Sequence, residues 1–151
     1  MSSELADLYQ ELILDHAKRP RNFGTLESAE LSAEGNNPVC GDKFTVFIQL
    51  DNDVVKEISF AGTGCAISTA SASLMTQAVK GQTIEFAISL FDAFHALLTS
   101  DSNTEQAAAG MGKLVVFAGV RQFPARVKCA TLAWHTLRAA LANQKESVTT
   151  E

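Results

Sequence analysis

The chain has three cysteines, and each lies in a setting that suits an ionised thiol. Cys40 and Cys65 occur in glycine-bearing loops, and Cys129 lies near the predicted start of the last helix. The carboxylate of Asp42 stands two residues after Cys40. Three thiols and one carboxylate form a donor set that suits a tetrahedral ion such as Zn²⁺. A lone cysteine is more often a small apolar core residue, so the hypothesis rests on the whole set.

The predicted surroundings of the thiols favour negative charge. Cys65 is expected where a strand turns through glycines into a helix, and the free backbone N–H groups there attract an anion. Cys129 is flanked by Arg126 and Lys128, and the helical period places it off the core stripe of its helix. We expect the three thiols to converge at one end of a sheet, although their spacing forms no C-x-x-C motif.

The histidines compete with Asp42 for the role of fourth ligand. His16, His95 and His135 all lie within predicted helical segments, and none adjoins a cysteine. Asp42 is preferred because it and Cys40 point to the same side of an extended segment. Asp42 also has a simpler interpretation, as a turn residue that begins a strand.

Composition and charge exclude several classes of protein. The formal net charge of −5 argues against a non-specific nucleic-acid binder, which normally carries a basic excess. No apolar run approaches the roughly 20 residues that span a membrane, and the first residues lack the layout of a secretory signal. An odd number of cysteines without such a signal indicates a reducing compartment. We therefore expect a cytoplasmic protein with neither a nucleic-acid nor a membrane partner.

Hydrophobic periodicity predicts the elements that position these residues. Helical spacing predicts four helices, over residues 3–17, 65–80, 84–98 and from Pro124 onward. Period-two alternation predicts three strands, over residues 29–33, 44–50 and 54–61. Strands that precede helices predict an α+β fold, in which a small three-stranded antiparallel sheet has helices packed on one face.

The length of 151 residues suits one domain. We expect it to cover residues 1–142, followed by a flexible polar tail over residues 143–151. Residues 101–104 are typical of a polar loop. Residues 114–117 are apolar, but the run is too short to assign.

Four segments contain the three cysteines and Asp42 within longer motifs. They are Leu14-Asp15-His16-x-Lys18-x-Pro20-Arg21-Asn22-Phe23-Gly24, Gly35-Asn36-Asn37-Pro38-x-Cys40-Gly41-Asp42, Gly62-x-Gly64-Cys65-Ala66-Ile67-Ser68-x-Ala70-Ser71 and Arg126-Val127-Lys128-Cys129-Ala130. In this order they resemble the iron–sulfur cluster assembly proteins of the IscU/NifU N-terminal family, from about Leu5 to Leu141.

Within that family the chain most resembles the SufU branch. The stretch between the second and third cysteines is long, with an insertion within residues 86–112. Lys128 stands where the IscU branch has a histidine, and residues 122–128 do not match the proline-rich chaperone-recognition motif of that branch.

The resemblance implies a SufE/NifU-like fold and a role in iron–sulfur cluster assembly. A PLP-dependent cysteine desulfurase of the SufS type would form a persulfide, and Cys40 would accept its terminal sulfur. Cys40, Asp42, Cys65 and Cys129 would hold a zinc ion, and the sulfur would pass to a downstream Suf scaffold or to apo iron–sulfur proteins. We expect Arg126 to support the transfer, because its guanidinium can balance the negative charge of such a site.

Three alternatives remain open at this stage. The same ligands could carry a transient [2Fe–2S] cluster, since clusters also need thiolates, and Asp42 would then be an exchangeable ligand. The protein could instead be a structural zinc or interaction module without sulfur chemistry. A cysteine hydrolase is disfavoured, because no motif places a histidine to activate a thiol.

Overall fold

The computed structural model describes residues 3–99, 111–143 and 147–150. The predicted loop at residues 101–104 lies outside these ranges. The α+β class is confirmed, and every predicted helix and strand is present with shifted bounds. In chain order the elements are α1 (Ser3–Lys18), β1 (Leu31–Asn37), β2 (Asp42–Asp51), β3 (Val54–Thr63), α2 (Ala66–Val79), α3 (Ile84–Thr99), a 3₁₀ helix (Gly112–Gln122), α4 (Pro124–Leu141) and β4 (Val148–Thr149).

The sheet has four strands in the order β3-β2-β1-β4. The pairs β1–β2 and β2–β3 are antiparallel, as the alternation predicts. At the turn end of the first hairpin Asn37 pairs with Asp42, so only residues 38–41 connect the two strands. This short connection carries Cys40, and Gly41 completes it with a positive φ of 73° that suits glycine.

The prediction of a three-stranded, wholly antiparallel sheet is wrong. Val148–Thr149 forms β4, which pairs in parallel with β1, Gly35 lying opposite Val148 and Asn36 opposite Thr149. This strand falls within residues 143–151, which we expected to be a flexible tail. A strand of two residues is too short to show an alternation of apolar and polar side chains. Its pairing depends on the position of the chain after α4 rather than on its own residues, so the sequence contains no local signal for β4.

The helices pack on one face of the sheet, as expected. Helix α4 lies across β1 and β2, helix α2 packs against both α4 and β3, and α1 covers α2. Inward residues of the strands alternate with outward ones, so that Phe44, Val46 and Ile48 of β2 are buried in the same core as Trp134 of α4. The run 114–117, which the sequence left unassigned, belongs to the 3₁₀ helix between α3 and α4.

Strand β1 lies unusually close to α4 at Gly35. A Cβ atom at this position would collide with Oγ1 of Thr136 and would lie 3.2 Å from Cδ1 of Leu132. Only glycine allows this approach without moving the helix. The close contact sets the position of the end of β1 relative to the start of α4.

Helix α1 and the segment after it are fixed to α2 through one buried hydroxyl. Nδ1 of His16 lies 2.7 Å from Oγ of Ser73, and the backbone N–H of Arg21 donates to the same oxygen. His16 is almost completely buried. Within the described residues, no helix has the combination of length and apolar character needed to span a membrane.

Candidate metal centre

Three parts of the fold meet at one end of the sheet. They are the β1–β2 connection with Cys40, the junction of β3 and α2 with Cys65, and the first turns of α4 with Cys129. Ligand atoms of Cys40, Asp42 and Cys129 all lie within 4.8 Å of one another. The three thiols are free, with Cys40 exposed, Cys65 half-buried and Cys129 buried.

Cys40 and Cys129 are the closest thiols, with their Sγ atoms 3.1 Å apart. Cys129 is only 3% exposed, so the prediction that it lies off the core side of its helix is wrong. The helical period describes the core stripe of α4 itself, but it cannot show that the end of β1 covers the neighbouring face of that helix.

Asp42 connects the first strand pair to Cys65. Its Oδ1 accepts a 2.8 Å hydrogen bond from the backbone N–H of Cys65, and its Oδ2 lies 3.9 Å from the Cys65 Sγ. Asp42 is 1% exposed. A buried carboxylate is costly without charge-assisted partners, so its position beside the thiols indicates a functional use.

Cys65 is the N-cap of α2, and its sulfur faces the first turn of that helix. The backbone N–H of Ser68 donates to the Cys65 Sγ over 3.5 Å, and Oγ of Ser68 lies 3.4 Å from the same sulfur. The sequence placed Cys65 at this junction, and the structure agrees. The Cys65 sulfur thus accepts a backbone N–H at the start of α2, where N–H groups have no acceptor within the helix.

Burial raises the pKa of the Cys129 thiol. Contacts with Cys40 and Cys65 raise it further, together with the negative charge of Asp42. A cation that coordinates Cys129 would instead lower the pKa of its thiol, because the cation stabilises the thiolate and displaces the proton. Such a group of acidic side chains is chemically suited to a divalent ion that binds with proton release.

The donor set fits zinc. Zn–S bonds of about 2.3 Å keep two sulfurs on one ion less than about 4.6 Å apart, and Cys40 and Cys129 satisfy this limit. The Sγ of Cys65 lies 3.9 Å from the Oδ2 of Asp42, but Cys65 is outside the group of mutually close ligand atoms that Cys40, Asp42 and Cys129 form. Three sulfurs and one carboxylate oxygen are the number and type of donors that a tetrahedral zinc site uses, and Cys65 would be the fourth donor.

The histidines have other contacts. His16 bonds to Ser73 in the interface of α1 and α2, and burial lowers its pKa. The rings of His95 and His135 meet edge to face with their centroids 5.7 Å apart, and both contact Phe91. Asp42 is therefore better placed than any of them to complete a site with the thiols.

Arg126 and Lys128 are both exposed near the start of α4. The guanidinium of Arg126 lies 4.6 Å from the centroid of the Phe123 ring. Arg126 also lines a groove together with Ala66, the residue that follows Cys65. The exposed guanidinium is accessible to a partner, and its role at the thiols stays a prediction.

Sequence reasoning missed Asn37 and Ser68 as neighbours of the thiols. Nδ2 of Asn37 donates to the Cys129 Sγ over 3.6 Å. A signal for Asn37 was present, because Ala33, Gly35 and Asn37 continue the inward period of β1 beyond the predicted end at residue 33. Ser68 stands three residues after the N-cap, where side chains commonly face the capping residue.

Comparison with known protein families shows to which family the chain belongs. The family described as NifU-like N terminal domain matches residues 8–130. The chain belongs to this family. The matched residues include all three cysteines and Asp42. The resemblance to the IscU/NifU N-terminal family, which rested on the segments around these residues, is therefore confirmed.

Relatives of this NifU-like chain have names from two branches of the family. The chain is 43% identical to the "Iron-sulfur cluster assembly scaffold protein IscU" of Streptococcus pyogenes serotype M1, over 92% of this chain and 86% of the relative. It is 40% identical to the "Zinc-dependent sulfurtransferase SufU" of Bacillus subtilis (strain 168), over 95% and 96% of the two chains.

The fold is also found in a solved structure of the family. A SUF-system iron–sulfur cluster assembly scaffold protein (FiSufU) from Fervidobacterium islandicum AW-1 superimposes with a TM-score of 0.81 at 33% identity. The superposition covers 93% of this chain and 99% of that one. The two chains therefore share one fold over almost their whole length.

Proposed function

We propose that this protein acts in iron–sulfur cluster assembly as a zinc-dependent sulfur acceptor. Its donor would be a PLP-dependent cysteine desulfurase of the SufS type, and its recipients a downstream Suf scaffold or apo iron–sulfur proteins. The observation that carries the proposal is the asymmetry of the thiols: Cys40 is exposed on a short loop, whereas Cys129 and Asp42 are buried. The name of the Bacillus subtilis relative supports the same function.

Cys40, Asp42, Cys65 and Cys129 are the residues that would hold zinc. When bound, the ion would keep the thiols deprotonated near neutral pH. Asp42 contributes a harder, more exchangeable oxygen than a fourth sulfur would. It also orients the backbone of Cys65 through the 2.8 Å hydrogen bond from the Cys65 N–H.

Cys40 is the proposed acceptor because a partner can reach it. Its thiolate attacks the terminal sulfur of a persulfide on the desulfurase, and a new sulfur–sulfur bond forms on Cys40. The sulfur–sulfur bond of the donor breaks, and its electron pair leaves with the donor cysteine as a thiolate. The transferred sulfur keeps its proton, and no external oxidant or reductant is needed.

Arg126 supports this step from the edge of the site. Its exposed guanidinium can pair with acidic groups of the docked partner or balance the negative charge of the ligand set. Its place in a groove that Ala66 also lines, next in sequence to Cys65, supports this assignment.

A second candidate function is a scaffold that carries a [2Fe–2S] cluster as cargo. The scaffold name of the Streptococcus pyogenes relative favours it. Cys40, Cys65 and Cys129 would then be the thiolate ligands of the cluster, with Asp42 as the weaker ligand that allows its release. The close pair of Cys40 and Cys129 is compatible with a bound zinc ion and with a [2Fe–2S] cluster.

Mass spectrometry of the cysteine peptides distinguishes these functions. The zinc-loaded protein is incubated with a SufS-type desulfurase and free cysteine, and persulfide is mapped separately on Cys40, Cys65 and Cys129. We expect persulfide on Cys40 and a higher desulfurase turnover. Persulfide confined to Cys65 or Cys129 would reassign the acceptor, and neither persulfide nor stimulation would favour a structural zinc module.

A parallel anaerobic incubation that includes ferrous iron tests the scaffold. A [2Fe–2S] absorption spectrum that co-purifies with this protein would establish the second function. Persulfide on Cys40 without any such spectrum would leave the sulfur acceptor as the function.

A further inference from the structure

Asn37 is the last residue of β1 and lies against the start of α4. Its side chain is 0% exposed, and Nδ2 donates to the Sγ of Cys129 over 3.6 Å. Its Oδ1 is also buried and has no hydrogen-bond partner among the described residues. A buried amide with one unsatisfied end is a poor choice for stability alone, because a desolvated polar atom without a partner costs free energy.

The backbone fixes the contact between Asn37 and Cys129. Gly35 precedes Asn37 on the inward side of β1, and its lack of a side chain lets β1 lie close to Thr136 and Leu132 of α4. Cys129 is one helical turn before Leu132 on the same side of α4. The tight approach at Gly35 therefore brings the next inward residue of the strand onto the thiol.

We propose that Asn37 is a positioning residue that holds the Cys129 sulfur as the fixed anchor of the zinc site. The inference rests on the proposed function, since it assumes zinc on Cys40, Asp42, Cys65 and Cys129. An N–H donor to a thiolate orients the sulfur and withdraws electron density from it, as outer hydrogen bonds to metal ligands generally do.

The consequence is a division of roles between two neighbouring thiols. Cys129 is buried, lies on a helix and receives the amide hydrogen bond of Asn37. Cys40 is exposed and lies on the loop of residues 38–41. Asn37 thus favours retention of Cys129 on the metal while Cys40 remains the thiol that reacts.

The first test measures zinc release from the full-length, zinc-loaded protein to a chromogenic chelator. Losing an outer hydrogen bond to a metal ligand usually lowers metal affinity roughly 10- to 100-fold, so Asn37→Ala should release zinc faster than wild type by up to about that factor. Asn36→Ala is the matched control, because Asn36 is the adjacent residue of β1 and its amide contacts the backbone of Val148 instead. It should release zinc at the wild-type rate.

The second test uses Co²⁺ in place of zinc, because its sulfur-to-cobalt charge-transfer band reports on the thiolates directly. Loss of the amide donor makes the Cys129 sulfur more electron-rich, so the band of Asn37→Ala should move to lower energy. The band of Asn36→Ala should stay in place. Melting of the metal-free proteins should be similar, because the amide has an unsatisfied end in the fold.

The proposal is overturned if Asn37→Ala releases zinc at the wild-type rate, or if its cobalt band is unshifted while its metal-free melting temperature falls. A wild-type protein that binds no zinc would contradict the proposed function as well, which separates the two failures. Should Asn37→Ala not fold, Asn37→Ser takes its place, since its short hydroxyl leaves the sulfur without the amide donor. Failure of both variants to fold, when Asn36→Ala folds, would make Asn37 a structural residue and overturn the proposal.

Discussion

The backbone N–H of Cys65 donates a 2.8 Å hydrogen bond to the Oδ1 of Asp42. Through this contact the carboxylate at the start of β2 fixes the residue that begins α2, independently of any metal. Asp42 therefore has two separable properties, a hydrogen-bond acceptor for Cys65 and a negative charge beside three thiols.

The two properties of Asp42 lead to a prediction about zinc binding by the three cysteines and Asp42. The purified protein should hold about one zinc ion per chain, and Cys→Ser at position 40, 65 or 129 should abolish stoichiometric zinc, because a hydroxyl is a poor replacement for thiolate. Asp42→Ala should be milder and should mainly accelerate zinc exchange. Metal analysis and chelator competition provide the measurements.

Asp42→Asn is the matched control for that variant. It keeps an oxygen that can accept from the Cys65 N–H but removes the negative charge. We expect both Asp42 variants to release zinc faster and Asp42→Asn to retain more of the metal-free stability. Unchanged zinc release in both would show that Asp42 is not a ligand, and full zinc content in all three serine variants would disprove the site.

Arg126 is predicted to matter for sulfur transfer and little for stability. Its side chain is exposed, and exposed charges contribute roughly 0–1 kcal/mol to folding. Arg126→Ala should keep its zinc and its melting temperature while desulfurase turnover is clearly less stimulated. Arg138→Ala is the control, because Arg138 is also exposed on α4 and stands in a surface ion pair with Asp92. Equal stimulation by wild type and Arg126→Ala would reduce Arg126 to an ordinary surface residue.

The buried His16 predicts a loss of stability in mild acid. Burial lowers its pKa below the ordinary value of 6.5, and the positive charge of Arg21 acts in the same direction. The unfolded chain therefore binds the proton more readily, so the stabilising contribution is complete above about pH 6.5 and is lost as the pH falls below it. Burial lowers the pKa of His135 as well, with the same sign.

His16→Asn checks this prediction, because asparagine keeps a polar atom where Nδ1 faces Ser73 but does not titrate. Urea unfolding of the metal-free protein between pH 5 and 8 should show a shallower dependence on pH in the variant. Metal-free protein is used because protonation of zinc ligands adds its own dependence. Parallel curves for the two proteins would show that His16 does not contribute.

Gly35→Ala is predicted to destabilise the fold by about 1–3 kcal/mol, the usual range for overpacking. The new methyl group would collide with Oγ1 of Thr136. Thr136→Ala in the same chain removes that oxygen and should recover part of the loss in a double-mutant cycle. Gly119→Ala is the control, since a Cβ there meets nothing within 4 Å. Additive effects of Gly35→Ala and Thr136→Ala would argue against the close approach.

The elements with strong periodicity could be predicted from the sequence. Helices such as α3 and the hairpin of β2 and β3 followed from local patterns, and the motif around Cys40 indicated the family. Local patterns act within one element, so they failed where two elements meet. The burial of Cys129 depends on β1 rather than on α4, and the pairing of β4 depends on where α4 ends.

The extent of β1 shows the same limitation. Gly35 interrupts the visible alternation of apolar side chains, so the predicted strand ended too early and Asn37 was not recognised as an inward residue. The absence of a side chain at Gly35 permits the contact between β1 and α4. The same absence interrupts the alternation by which the end of β1 could have been recognised in the sequence.

The pairing of Asn37 with Asp42 also limits how far Cys40, the proposed acceptor, can move. Cys40 is tethered two residues before the fixed end of β2, and a chain spans at most about 3.6 Å per residue, so its Cα stays within roughly 7 Å of the Cα of Asp42 unless the hairpin opens. A connection this short keeps Cys40 close to the end of the sheet, so its thiol cannot move far to meet a partner. If Cys40 accepts sulfur as proposed, most of the movement that brings the two sulfurs together would have to come from the donor.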